Sequence, residues 1–104
     1  MLDNFSTGKR ENLTGLDIDL VEADLRDASR VTQACRGIDV IFHEAAFVSV
    51  PQSMQEPTEC LDVNVTGTAS LFESARKAGV RRAVFATSAA VYGDSEAWPL
   101  VEET

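Results

Sequence analysis

The sequence predicts an α/β fold in which a mostly parallel sheet carries helices on its faces. Short apolar runs typical of strands alternate with segments of helical spacing, in the order strand, loop, strand, helix, strand, helix, strand. The connections between these segments are short. At 104 residues the chain forms at most one small domain, and it contains no internal repeat or low-complexity tract.

The first half of the chain is predicted to hold two strands and one helix. Residues 1–4 have the pattern of a strand end, and residues 16–21 alternate apolar and acidic side chains, as in a strand with one solvated face. Asp27 is a suitable N-cap for the following helix, and Gly37 is placed to end it. The apolar stripe of this helix consists of Val31, Ala34 and Cys35.

The second half is predicted to hold the longest helix, between two strands. Residues 38–42 form the first of these strands, and residues 47–56 are expected to be a loop. Pro57 then opens the helix, Gly79 ends it, and residues 83–86 form the last strand. One face of the helix is apolar at helical spacing and comprises Leu61, Val65, Ala69, Phe72 and Ala75.

Charge and composition exclude several classes of function. Nine basic against 17 acidic residues give a net charge of −8, which argues against nucleic acid or an anionic membrane as partner. Cys35 and Cys60 are far apart in sequence and are expected to be buried free thiols, as in a reducing cytoplasm. His43 has no second His or Cys at ligand spacing, so a metal site is not expected. The sequence has no apolar run long enough to span a membrane, and its polar first residues lead us to expect no signal peptide.

Small or polar residues follow each predicted strand at its carboxyl end. In open α/β sheets, ligands bind in the crevice outside these ends. Each position also has a simpler explanation as a solvated loop residue, but four such positions in one sheet favour a ligand site. The residues are Asp3 and Asn4, Asp24, Ala45 and Ala46, and Thr87 and Ser88.

The last of these positions is the strongest candidate for chemistry. A short apolar strand turns abruptly into Thr87 and Ser88, which places two hydroxyl groups at the sheet edge. The simpler alternative is that Ser88 only hydrogen-bonds the loop that leaves the strand, because hydroxyls are common in turns.

Six blocks of the sequence together resemble the NAD-dependent sugar-nucleotide epimerase/dehydratase family of extended short-chain dehydrogenases/reductases. Within it, the sequence resembles UDP-glucose 4-epimerase or its N-acetylated relatives. The match covers nearly the whole chain, and its blocks are residues 2–10, 23–27, 42–46, 48–51, 64–68 and 87–94. The resemblance implies that residues 1–104 are an incomplete NAD(P)-binding domain, a partial Rossmann fold. The first strand with its G-x-x-G-x-x-G turn, the Tyr-x-x-x-Lys pair and the C-terminal substrate domain would then lie outside them.

The resemblance also assigns the adenosine end of the cofactor NAD to particular residues. Asp3 corresponds to the acid that binds the adenosine ribose, with Asn4 beside it. Asp24 and Leu25 correspond to the pair at the adenine edge. The turn around the adenosine consists of Ser6, Thr7 and Gly8.

Four further positions follow from the same resemblance. Ala45 and Ala46 correspond to small residues that line the dinucleotide, and Asn64 corresponds to a helix asparagine that supports the site. Ser88 corresponds to the catalytic Ser or Thr, with Thr87 as second choice. Glu44 replaces the apolar residue usual in the family.

The implied function is an NAD-dependent 4-epimerase of a nucleotide sugar, cytoplasmic and homodimeric in its complete form. One alternative is a sugar-nucleotide 4,6-dehydratase, which usually has an acid and a base directly after the hydroxyl residue, where this chain has Ala89 and Ala90. A second alternative is a non-catalytic NAD-binding module, which would lack the Tyr-x-x-x-Lys pair. Tyr92 belongs to a Val-Tyr-Gly motif and is not the catalytic tyrosine.

Overall fold

Parallel strands and helices alternate along the chain, and a computed structural model describes all residues, 1–104. The strands are β1 (Leu2–Asp3), β2 (Val21–Glu22), β3 (Val40–His43) and β4 (Arg82–Phe85). The α-helices are α1 (Ala28–Ala34), α2 (Val50–Gln55), α3 (Pro57–Leu61) and α4 (Thr68–Ala78). A π-helical turn (Asp62–Gly67) joins α3 to α4, and two 3-10 turns occupy Arg10–Leu13 and Ala89–Tyr92.

The strands form two separate parallel pairs. β1 pairs with β2 over two residues, with Asp3 opposite Glu22. β3 pairs with β4 along its whole length, beginning with Val40 opposite Arg82. The predicted α/β class with parallel strands is confirmed, although the strands do not form one continuous sheet.

Two sequence predictions about local structure were wrong. The strand predicted over residues 16–21 is reduced to Val21–Glu22, because its partner β1 offers only two residues for pairing. The loop predicted over residues 47–56 contains α2, since Ser49 caps its first turn by accepting a hydrogen bond from the Gln52 N–H at 3.3 Å. Pro51 lies in that first turn, where a backbone N–H has no helical partner to lose.

Of the three helix caps expected from the sequence, those at Asp27 and Gly79 are confirmed, whereas α1 ends at Ala34 with Cys35 as its C-cap, before Gly37. The Asp27 carboxylate accepts from the backbone N–H of Arg30 at 3.1 Å and caps α1. At the end of α4, Gly79 adopts a left-handed φ of +78°. The Val80 N–H then reaches the Ala75 carbonyl at 3.0 Å, which closes the last turn as a Schellman motif.

The core lies between α1 and α4. Its buried apolar residues are Leu25, Val31, Cys35, Leu71 and Ala75. The hydroxyls of Thr32 and Ser74 are 3.1 Å apart and connect the same two helices. Both cysteines are free thiols, as expected, with Cys35 buried and Cys60 half-buried.

The helix face that the sequence predicted to be buried is mostly exposed. Ala75 is buried, but the side chains of Leu61 and Val65 remain 61% and 60% exposed. The π-helical turn adds a residue to one turn, so apolar positions before and after it do not share a face. Leu71 and Ser74, four and seven residues after Gly67, pack towards α1 instead.

The chain exposes more surface than a folded monomer of its mass ordinarily does. Its accessible surface is 8003 Å², against about 5,700 Å² from the usual scaling with mass. The radius of gyration is 15.7 Å, against about 13 Å for a compact domain of this length. Much of the excess is apolar, and Phe42 and Met54 are 70% and 81% exposed.

His43 ends β3 and is the most buried polar side chain, at 3% exposure. Its Nε2 shares a hydrogen bond of 2.8 Å with the Thr68 hydroxyl. Its ring stacks on Phe85 at 5.4 Å and meets the edge of Phe72 at 6.0 Å. Burial lowers the pKa of His43, and the nearby Glu44 carboxylate opposes this only in part. The folded chain therefore holds this imidazole neutral.

We expect the stability of the chain to fall as the pH is lowered from 7.5 to 5.5. The unfolded chain binds a proton at His43 near pH ~6.5, whereas the folded chain resists it because the pKa of His43 is lowered. Stability is therefore complete above the unfolded pKa and is lost below it, by at most about 1.4 kcal/mol per pH unit. Urea unfolding followed by circular dichroism measures this loss.

The control variant is His43→Gln, whose stability should stay nearly constant over the same pH range. Arg26 lowers the pKa of Asp24, and Arg76 and Lys77 lower the pKa of Glu73 to about 2. Both carboxyls lose their contribution only below their unfolded values near ~4, outside the tested range. An equal pH dependence in the wild type and in His43→Gln would contradict the assignment.

Candidate functional site

The carboxyl end of β1 presents an acid within a tightly bonded turn. The Asp3 Oδ1 accepts from the Phe5 N–H at 2.8 Å, and the Asn4 Oδ1 accepts from the Ser6 N–H at 3.0 Å. Phe5 has a positive φ of 55°, which reverses the chain. Gly8 then lies against the Asp3 carboxylate, since a Cβ there would sit 3.7 Å from Oδ2. Because Oδ2 accepts no hydrogen bond within the chain, Asp3 offers a free acceptor at the end of the strand.

Asp24, at the carboxyl end of β2, makes the densest set of hydrogen bonds in the site. Its Oδ1 accepts from the Arg26 backbone N–H at 2.8 Å and from Nε at 2.9 Å. Its Oδ2 accepts from Arg26 Nη2 at 2.9 Å and from Asn4 Nδ2 at 3.0 Å. The Arg26 side chain, as the main cause, holds the pKa of Asp24 well below its usual range. The carboxylate is therefore ionised and fixed.

Leu25 is a buried core residue that follows Asp24. The side chain is 7% exposed and packs on Gly67, where an added Cβ would come within 3.1 Å of it. The Leu25 N–H makes no hydrogen bond within the chain. Any contact of Leu25 with a ligand at this edge would therefore use the backbone.

Asn64 fixes the loop that follows β3. Its Oδ1 accepts from the Phe47 N–H at 2.7 Å, and its Nδ2 donates to the Phe47 carbonyl at 3.1 Å. Both polar atoms of the amide are thus used on the backbone next to Ala45 and Ala46, which are exposed and small. Asn64 positions this loop, and its Nδ2 also lies 3.5 Å from Cys60 Sγ, so both N–H groups of the amide have partners within the chain.

Ser88 follows β4 and caps the 3-10 turn Ala89–Tyr92. Its Oγ accepts from the Ala90 N–H at 3.0 Å, so the expected loop bond is present. That bond uses the oxygen as an acceptor and leaves the hydroxyl proton free to be donated. Thr87 and Ser88 are both exposed.

The structure brings the predicted residues together in two groups, one on each strand pair. The β1–β2 group consists of Asp3, Asn4, Ser6, Thr7, Gly8, Asp24 and the Leu25 backbone. The β3–β4 group consists of Ala45, Ala46, Asn64, Thr87 and Ser88. The two groups are connected by the contact of Leu25 with Gly67 and by the ion pair of Arg26 with Glu59 at 3.4 Å.

Two basic residues next to the β1–β2 group were not predicted from the sequence. Arg26 holds Asp24, and its place two residues later in Asp-Leu-Arg-Asp was the available signal. The Arg10 guanidinium lies 4.3 Å from the centre of the Phe5 ring and pairs with Glu22. No sequence spacing pointed to that second pairing.

The structure contains no group of three or more His, Cys, Asp or Glu side chains arranged to hold a metal ion. None of its helices has the length and apolar character needed to cross a membrane.

The whole chain, residues 1–104, matches the model of the NAD dependent epimerase/dehydratase family. It is 40% identical over 105 residues to the UDP-glucose 4-epimerase of Streptomyces lividans, covering 98% of this chain and 32% of that enzyme. The chain therefore spans about a third of the length of this relative.

Solved structures of the same family have the same fold. A UDP-glucose 4-epimerase from Stenotrophomonas maltophila, with bound NAD and formylated UDP-arabinopyranose, superposes with a TM-score of 0.84 at 31% identity, over 97% of this chain and 32% of that one. A double mutant of DesIV, a dTDP-glucose 4,6-dehydratase from Streptomyces venezuelae with NAD and DAU bound, gives a TM-score of 0.83 at 38% identity, over 93% and 32%.

Proposed function

The chain belongs to the NAD-dependent epimerase/dehydratase family, and on that premise we propose that it forms the NAD-binding part and carries the catalytic serine of a nucleotide-sugar 4-epimerase. The observation that carries this proposal is the Asp3 carboxylate, which offers a free Oδ2 at the carboxyl end of β1 beside Gly8. A carboxylate at this position of an α/β sheet is the usual acceptor for a ribose hydroxyl.

The residues of the β1–β2 group fit the adenosine half of NAD. Asp3 would accept from the ribose, and the absence of a side chain at Gly8 leaves room for close approach. Asp24 provides an ionised acceptor and the Leu25 N–H a free donor, a pair suited to the edge of a base. In the β3–β4 group, the exposed Ala45 and Ala46 would let the dinucleotide lie close to the backbone.

The catalytic role that we assign to this chain rests on the Ser88 hydroxyl. When bound, NAD supplies a hydride acceptor and donor for C4 of the sugar. Ser88 would donate a hydrogen bond to the oxygen on C4 and stabilise that oxygen as it loses its own proton to the base and a carbonyl forms. The Ala90 N–H holds Oγ in one orientation for this donation. We expect the base from a Tyr-x-x-x-Lys pair, which residues 1–104 do not contain, since Glu96 stands four residues after Tyr92.

Two alternative functions are compatible with the fold. A 4,6-dehydratase must also eliminate water, for which it needs an acid and a base near the hydroxyl residue. Ala89 and Ala90 occupy the positions after Ser88 and supply neither group, which favours the epimerase. A non-catalytic NAD-binding module would use the same β1–β2 group without needing Ser88.

The proposal predicts that the cofactor is NAD and not NADP. The Asp3 carboxylate accepts from a ribose 2′-hydroxyl but repels a 2′-phosphate. The test protein is a hybrid in which residues 1–104 replace the matching third of the Streptomyces lividans epimerase. Asp3→Gly combined with Asn4→Arg should reverse a preference for NAD of at least about tenfold, measured by calorimetric titration.

Asp17→Gly is the control for this exchange, because Asp17 is exposed and makes no ion pair or side-chain hydrogen bond. It should leave the preference unchanged. Tighter binding of NADP than of NAD by the unmodified hybrid would show that Asp3 does not hold the ribose.

A second prediction from this proposal concerns Ser88. In the same hybrid, Ser88→Ala should lower the rate of UDP-galactose conversion by roughly 10²–10⁴-fold while NAD affinity changes little. Ser95→Ala is the matched control and should leave the rate unchanged. Like Ser88 Oγ, Ser95 Oγ accepts a hydrogen bond from the N–H two residues later, that of Ala97, at 3.2 Å. Normal turnover in Ser88→Ala, with loss in Thr87→Ala, would transfer the role to Thr87.

The 104 residues alone should neither convert UDP-galactose nor bind NAD tightly. They contain no G-x-x-G-x-x-G turn for the pyrophosphate. The family resemblance also places a further parallel strand between β1 and β3, whose edges are otherwise unpaired. We expect 1 mM NAD to raise the melting temperature by less than about 1 °C. A rise of several degrees in a cooperative melt, or measurable turnover, would contradict this expectation.

A further inference from the structure

We propose that two copies of this chain pair through the free edge of β4, so that the acidic residues 94–104 of each copy lie against a basic groove of the other. The two β4 strands run antiparallel about a two-fold axis at Val84. The inference goes beyond the proposed function, because the pairing uses neither NAD nor the Ser88 hydroxyl.

β4 has the edge best suited to pairing with another chain. It bonds to β3 on one side only, and all four of its residues are exposed. The open side of such a strand offers a row of unpaired N–H and C=O groups. β1 and β2 have only two residues each, and the free edge of β3 faces the position that the family resemblance assigns to a further strand. The longest outer edge is therefore that of β4.

The side chains of β4 leave apolar surface on both faces of the sheet. Phe85 stacks on His43 and meets the edge of Phe72 at 6.1 Å, so its ring lies on the face that α4 covers. Val84 alternates to the opposite face, where it is in register with Phe42. Val84 and Phe85 nevertheless remain 42% and 55% exposed. Both faces therefore have apolar area left to bury at this edge.

A two-fold axis at Val84 buries this area. Residues directly opposite each other in an antiparallel pair lie on the same face, so Val84 faces Val84 of the other copy and Phe85 faces Ala83. Ala83 is small and exposed, which leaves room for the Phe85 ring. The accessible surface also exceeds that of a compact monomer by more than the ~800 Å² that each partner contributes to a stable interface.

A basic groove of about 230 Å³ lies at the amino end of the same strand. Residues 76–82 hold four of the nine basic residues of the chain and no acidic one. Arg81 pairs with Asp39 at 3.2 Å, whereas Arg82 forms no ion pair or side-chain hydrogen bond within the chain. In a chain of net charge −8, such a groove favours a partner that is both acidic and apolar. Its lining residues are Phe72, Ala75, Arg76, Val80, Arg81, Arg82 and Ala83.

Residues 94–104 have the complementary character. They include four acidic residues, no basic one and the exposed Trp98 and Val101. None of them forms an ion pair, and all their hydrogen bonds stay within residues 93–104. In the antiparallel pair, the carboxyl end of one β4 lies beside the amino end of the other. The acidic segment that follows β4 therefore meets the basic groove of the second copy.

Sedimentation velocity tests the pairing. At about 100 µM, well above a Kd in the micromolar range, the chain of 11.3 kDa should sediment with twice its mass. Val84→Lys should yield a monomer, because it sets two like charges opposite each other at the axis. Val40→Lys is the matched control and should leave the dimer intact. Val40 has the same exposure, 41%, and lies on the same face of the sheet in β3.

Cysteine cross-linking tests the register without relying on a destabilising charge. In a Cys60→Ser background the other thiol, Cys35, is buried. Val84→Cys should then form an intermolecular disulfide on mild oxidation, because directly opposite Cβ atoms lie about 5 Å apart. Val40→Cys, the matched control, should stay monomeric on a non-reducing gel.

Arg82→Glu tests the contact between the acidic segment and the groove. It should weaken dimerisation by at least about tenfold, because the groove would then repel the segment. Arg30→Glu makes the same change of charge at an exposed residue of α1 and should leave the dimer unchanged. The emission of Trp98, the only tryptophan, should shift to shorter wavelength as the dimer forms.

Four results would overturn the inference. A monomer of the unmodified chain would reject the pairing, including the case in which residues 94–104 occupy the groove of their own chain. A dimer that survives Val84→Lys and does not cross-link through Val84→Cys would place the interface on another surface. Assemblies that keep growing with concentration would reject a closed two-fold pair. Equal effects of Arg82→Glu and Arg30→Glu would reject the contact of the acidic segment with the groove.

Discussion

The packing of α1 against α4 is the constraint on which the rest of the structure depends. The two strand pairs share no backbone ladder, so their relative position is set by side chains. Leu25 is central to this packing, because it directly follows Asp24 at the end of β2 and its side chain reaches Gly67 at the start of α4. A Cβ at Gly67 would approach the Leu25 side chain to 3.1 Å, so that this side chain would have to shift by a few tenths of an ångström.

This packing also fixes where the site residues of one strand pair lie relative to those of the other pair. Asp24 and Arg26 flank the buried Leu25 in sequence, so the residue that anchors the core also sets where the carboxylate and its guanidinium partner point. Arg26 then reaches Glu59 on the opposite helix. The β1–β2 group and the β3–β4 group are in this way joined by one short stretch of chain.

The sequence allowed the local features to be predicted, because they depend on neighbours in the chain. The cap at Asp27, the left-handed Gly79 and the hydroxyl at the end of β4 all follow from the chemistry of a few adjacent residues. The buried face of the long helix could not be predicted, since periodicity assumes an unbroken α-helix. The pair of Arg26 with Asp24 is local and had a signal in the sequence, but the pairs of Arg26 with Glu59 and Asp62 could not be predicted, because they join residues more than thirty positions apart.

The π-helical turn also limits where residues can be inserted into the chain or deleted from it. Each residue of a regular helix advances the next by about 100° and 1.5 Å. Deleting one residue between Asp62 and Gly67 would convert the turn into regular helix and rotate all of α4 by about that angle. Leu71 and Ala75 would turn away from α1, and Asn64 would no longer face the Phe47 backbone. Homologous chains that keep this core should therefore show insertions and deletions elsewhere, but a constant number of residues across this turn.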